Sequence, residues 1–178
     1  MSAVVFLRGM NLGRRRITND DLISVFVGAG YTDVWAYQAS GNVVLGAVES
    51  VDPASISNAL FAALGYSVDV FVRTAADLHT IATTSPIKGR TGSAGGKPQI
   101  VFLVAAEAPG GGAPPNDLDL GSVFPADHEV YRVGAELHWL PPGGLSDLGN
   151  MQHLMDKVLG CTTVRTLGTI ERLSSRLS

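Results

Sequence analysis

The apolar positions of this chain switch between strand and helix periods in short runs, and the switching predicts the order of its elements. Residues 3–7, Ala-Val-Val-Phe-Leu, form an unbroken apolar run of strand length. Thr18 then offers a helix cap with Asp20 and Asp21 in the first turn. Leu22, Val25, Phe26 and Ala29 follow at helical spacing, and Gly30 stops that helix. Residues 32–37 and 42–45 read as two strands joined across Ala39-Ser40-Gly41. Asp52-Pro53 opens a second helix, with Asp as cap and Pro in the first helical position. Its buried stripe is Ile56, Ala59, Leu60, Ala63 and Leu64, and Gly65 ends it. Residues 67–72 alternate, with Val68, Val70 and Val72 on one face. The order is β-α-β-β-α-β.

A short helix over 75–82 and a loop over 86–96 come next, the loop rich in Gly, Ser and basic residues and expected to be mobile. The same order then returns. Residues 100–104 read as a strand buried on both faces, a Gly/Pro loop spans 109–115, and 117–123 is weakly helical. Residues 130–133 and 137–140 predict a hairpin around Gly134-Ala135. Ser146 caps a helix with Leu148, Met151, Met155 and Val158 inward and Gly160 as its stop. Residues 162–166 form the last strand, before a closing helix through Leu173. The expected fold class is α+β: two tandem β-α-β-β-α-β (ferredoxin-like) units with mainly antiparallel sheets. The first unit covers residues 1–75, a connecting helix and Gly-rich loop cover 76–97, and the second unit with its C-terminal helix covers 98–178.

Composition narrows the setting. With 178 residues and 46% hydrophobic side chains the chain has material for a core, yet its longest apolar stretch, 100–106, is far short of the roughly 20 residues that cross a bilayer. The first residues have neither the basic start nor the apolar length of a signal peptide. One cysteine, Cys161, excludes an intrachain disulfide and suits a reducing cytoplasm. A net charge of −3 provides no global attraction to nucleic acid or anionic lipid, so no membrane partner is expected.

In a split β-α-β unit the first and third strands are antiparallel neighbours, so the exit of one lies beside the start of the other. That places Arg8-Gly9-Met10-Asn11-Leu12-Gly13 and Tyr37-Gln38-Ala39-Ser40-Gly41-Asn42 on one rim. Residues 7–13, Leu-Arg-Gly-Met-Asn-Leu-Gly, and residues 37–44, Tyr-Gln-Ala-Ser-Gly-Asn-Val-Val, carry a family likeness. They resemble the L-R-G-[IM]-N-[VL]-G and Y-x-x-S-G-N-V-[VL] signatures of the bacterial family called domain of unknown function 1697. Val70-Phe71-Val72-Arg73-Thr74 fits as well, so the resemblance extends over about the first 75 residues. Such proteins usually carry T-x-R-N-W-N-T-[VL] near the C-terminus. Here residues 163–170 keep the Thr, Arg and second Thr, while the aromatic and both asparagines are absent. The resemblance implies the same fold and a family without an assigned activity.

The rim carries the components of an anion site. Backbone N–H groups at Gly9 and Gly13, the guanidinium of Arg8, and the Arg14-Arg15-Arg16 run ahead of a helix start are groups that hold phosphate or carboxylate. Asn11, Tyr37, Ser40, Gly41 and Asn42 complete the candidate ligand-binding set, with Ser40 and Asn42 as neutral donors. In the plainer reading Arg8 and Asn11 pin the loop through backbone carbonyls, Gly9 and Gly41 supply positive φ, and the arginine run is a solvated patch. No general base is apparent: Tyr37 is the only nearby titratable group other than arginine, a phenol suits neutral pH poorly, and no catalytic residue is assigned. RNA contact through the arginine run is a second expectation, not favoured. The third strand lacks the aromatics that stack bases in RNA-recognition modules. A partner-binding role is the third, with Trp139 as anchor if it is exposed and as core if it is not.

Other chemistries fail on spacing. His79, His128, His138 and His153 make no ligand motif, and no metal or cofactor is proposed. Ser40 sits in a hairpin turn rather than a strand-to-helix elbow. Gly95-Gly96-Lys97 lacks the first glycine of a phosphate loop and is followed by Pro98 and a strand.

Overall fold

A computed structural model describes residues 1–10, 17–38, 41–103, 119–145 and 151–177. The chain divides into two compact units, Met1–Leu78 with Leu177–Ser178, and His79–Arg176.

The first unit contains β1 (Ala3–Arg8), α1 (Asn19–Gly28), β2 (Val34–Ala36), β3 (Asn42–Leu45), α2 (Pro53–Leu64) and β4 (Asp69–Thr74). Its sheet has the antiparallel order β2-β3-β1-β4, which is the expected ferredoxin-like arrangement. Local chemistry sets the helix ends. The Thr18 side chain accepts the Asp21 N–H at 3.1 Å, Asp52 accepts those of Ala54 and Ser55, and Gly65 closes α2 at φ 74°. Ala3, Val5 and Leu7 point to one face of β1, where Leu22 and Phe26 of α1 and Ile56 and Leu60 of α2 meet them in one core. Fully burying a side chain such as Phe26 stabilises the unit by roughly 1.5–3 kcal/mol.

β2 is shorter than the six residues its sequence suggests. Asp33 takes φ 52°, its carbonyl accepts the Gly46 N–H at 3.0 Å, and its carboxylate occupies the space a side chain at Gly46 would need. That turn starts the strand at Val34.

The second unit contains most of α3 (Ala75–Thr84), then β5 (Gln99–Leu103), β6 (Glu129–Val133), β7 (Glu136–Leu140), α4 (Met151–Leu159), β8 (Thr162–Thr166) and all but the last residue of α5 (Leu167–Leu177). The order β6-β7-β5-β8 repeats that of the first sheet, again antiparallel. β5 is buried throughout, as its apolar run requires. Within 117–123 only a single 3-10 turn, Leu120–Ser122, lies among the described residues, and the predicted cap Ser146 lies outside them. Trp139 belongs to the core at 1% exposure, tilted against Phe124, stacked on His128, and donating from Nε1 to His128 Nδ1 at 3.0 Å.

The loop over 86–96 is tied down, contrary to its composition. The Pro142 carbonyl accepts the N–H groups of Ala94 and Gly96 at 2.7 and 3.0 Å, and a Cβ at Gly92 or Gly96 would collide with the Pro141 carbonyl. Here glycine serves close backbone packing rather than freedom. Among the described residues no helix is long and apolar enough to cross a membrane.

Candidate functional site

The end of β1 and the start of β3 meet as the strand order requires. Phe6 is the register partner of Asn42, and the Leu7 N–H donates to the Gly41 carbonyl at 2.7 Å. Gly41 has φ 69°, and a Cβ there would stand 3.0 Å from the Leu7 carbonyl and 3.3 Å from Met10 Cγ. Glycine is therefore required twice over, by conformation and by space. Gly9 also takes a positive φ, 74°, and turns the chain out of β1.

Five of the eight ligand candidates come together in this way: Arg8, Gly9, Tyr37, Gly41 and Asn42. Their roles differ. Asn42 is 1% exposed, and its Nδ2 donates to the Tyr37 carbonyl at 3.1 Å while the Tyr37 N–H donates to the Asn42 carbonyl at 2.8 Å. That pair of bonds closes the turn, so the Asn42 amide shapes the rim from beneath it. Tyr37 is buried, edge-on to Trp35. Arg8 and Gly9 are half-buried, and Arg8 stands opposite Asp69 on β4. Asn11, Gly13 and Ser40, with Arg14, Arg15 and Arg16, lie outside the described residues.

The second sheet holds polar groups that spacing along the chain does not reveal. His138 is fully buried, with Nδ1 2.8 Å from Ser85 Oγ and Nε2 without a partner among the described residues. Burial pushes its pKa down to about 4, so the imidazole is neutral. Arg165 donates from Nη1 to Thr163 Oγ1 and to the Val164 carbonyl, and burial lowers its pKa to about 10. Arg73 makes the corresponding bond to the Val72 carbonyl in the first unit. Each arginine sits beside the second position of its central strand, Val4 or Ile100. The signal for this correspondence is present in the sequence as Val-Arg-Thr at 72–74 and again at 164–166, each leading directly into a helix.

Residues 1–117 match the family described as Protein of unknown function (DUF1697). The chain belongs to this family. Both rim segments fall inside the DUF1697 match, whereas Val164-Arg165-Thr166 falls beyond it. A search of curated proteins finds no match. Among solved structures, the DUF1697 chain is similar to the conserved bacterial protein SP0830 from Streptococcus pneumoniae, with a TM-score of 0.70 at 16% identity. That similarity covers 99% of this chain and 97% of the other, and at such identity it speaks for the fold alone.

Proposed function

We propose that this chain is a cytoplasmic binding protein for a small phosphorylated or carboxylated compound, held at the rim where β1 ends and β3 begins. The supporting observation is the Leu7 to Gly41 contact, which brings two glycine-containing segments together beside a half-buried arginine. In this reading Arg8 grips two oxygens of the anion, and Gly9 and Gly13 let the backbone approach it. Ser40 adds a neutral donor, and Asn42 keeps the turn in shape. The single cysteine suits a reducing compartment and supports the cytoplasmic part of this reading.

Thermal denaturation against a panel of nucleotides and sugar phosphates tests the proposal. A true ligand at about 100 times its dissociation constant adds about 2.7 kcal/mol of stability, and Arg8→Ala loses most of that gain. A panel that leaves the wild-type melting temperature unmoved, or a ligand that stabilises Arg8→Ala equally, removes the rim from consideration.

A further inference from the structure

A cleft of about 370 Å³ opens in the second unit where β8 passes into α5 alongside the residues that lead into β5. This is the size range of small-molecule sites. Its lining carries Arg90, Lys97 and Arg172 against a single carboxylate, Glu171. The three cationic residues are exposed. Lys88 Nζ lies 3.9 Å from Glu171, at the limit of an ion pair. Arg90 Nη2 donates to Glu129 at 2.6 Å, and the Tyr131 hydroxyl donates to the other oxygen of that carboxylate at 2.8 Å. The lining itself presents three cationic side chains and one carboxylate, with Arg90 already paired to Glu129.

The walls are preassembled. The Leu167 N–H donates to the Pro98 carbonyl at 2.9 Å, joining α5 to the strand lead-in, and Thr169 N–H donates to Thr166 Oγ1 at 3.2 Å. Between them the Gly168 N–H has no partner among the described residues. A Cβ at Gly89 would meet open space, and one at Gly168 would meet only the Arg172 guanidinium, at 3.4 Å. Backbone is thus little covered by side chains at two places in the lining.

The corresponding place in the first unit is built differently. There Ala75 N–H donates to the Ser2 carbonyl at 2.9 Å, matching the Leu167 to Pro98 bond. The Asp77 carboxylate, however, accepts the Thr74 N–H and hydroxyl at 2.8 and 2.7 Å, so that helix start carries its own negative charge. In the second unit the equivalent position is the neutral Thr169, bonded to Thr166, so that helix start carries no carboxylate at this position.

We propose that this cleft is a second anion site, which takes the phosphate group of a small organic phosphate whose hydroxyl or amino donors face Glu171. Lys97 and Arg172 supply charge-assisted bonds to the phosphate, Arg90 is held at the edge by Glu129, and Glu171 rejects a ligand that presents only acceptors. The site is built entirely from residues of the second unit and does not rest on the rim.

Amide NMR titration of the full chain with glycerol phosphate provides the test, with pyrophosphate, which brings phosphoryl oxygens but no alcohol or amine for Glu171, expected to bind more weakly. The expected result is a saturable shift centred on Gly168 and Gly89. Affinity falls about tenfold in Lys97→Gln and again in Arg172→Gln, the size expected when one charge-assisted bond is lost, and is unchanged in Arg8→Gln. Because both substituted cleft residues are exposed, the variants keep the native amide spectrum away from the cleft. Absence of saturable shifts at the cleft with glycerol phosphate overturns the site, as does affinity indifferent to both cleft substitutions. Binding lost in Arg8→Gln alone overturns the cleft while supporting the rim.

Discussion

His138 shows how a single residue changes meaning between sequence and structure. Along the chain it is one histidine of a hairpin; in the sheet it is sealed beside Ser85 with one ring nitrogen unbonded among the described residues. Its pKa of about 4 in the folded protein is below the ordinary value of 6.5, so the unfolded chain takes up a proton first as pH falls. The stabilising contribution is complete above about pH 6.5 and is lost toward about pH 4, amounting to about 3 kcal/mol. Urea midpoints across this interval are expected to fall more steeply for wild type than for His138→Gln; equal slopes would show that the buried ring does not control the acid limb. Gly41 gives a second prediction at this scale. Gly41→Ala forces a Cβ against Leu7 and Met10 at positive φ and is expected to cost about 1–3 kcal/mol, read as a lowered urea midpoint with an unchanged slope. No change would mean that the two loops separate freely.

At the scale of elements, legibility followed the locality of the cause. The bounds of α2, β3 and β8 agree with expectation because caps, stops and β-branched runs act within a few residues. Thr18→Ala is accordingly expected to cost about 1 kcal/mol through loss of the first-turn cap, with the loss seen in overall stability and in fraying of α1 by amide exchange. β2 and the loop over 86–96 departed from expectation for one reason. Each is shaped by contacts with residues distant in sequence, Asp33 with Gly46 and Gly92 and Gly96 with the prolines at 141 and 142. Composition reports backbone freedom, and here the fold uses that freedom for close approach.

At the scale of the molecule, two sheets of identical strand order carry the Val-Arg-Thr ending of their last strands into helices. The net charge of −3 argues against broad attraction to polyanions even though Arg14, Arg15 and Arg16 are adjacent. Fluorescence anisotropy with single-stranded RNA is expected to show no strong salt-sensitive binding. A steep salt slope that flattens when the three arginines become glutamine would assign that run a phosphate-backbone role instead.

Periodicity, caps and glycine stops were sufficient, within the sequence, to give the α+β order and the meeting of the two rim segments. Those features encode local conformation, and for a β-α-β-β-α-β order the antiparallel pairing of β1 with β3 follows from topology. Tertiary structure alone decided that Asn42 supports the rim from below, that His138 is neutral, and that Arg90, Lys97 and Arg172 share a cleft. Burial, pKa and the convergence of charges depend on which distant residues exclude water from one another, and a linear pattern carries no record of that.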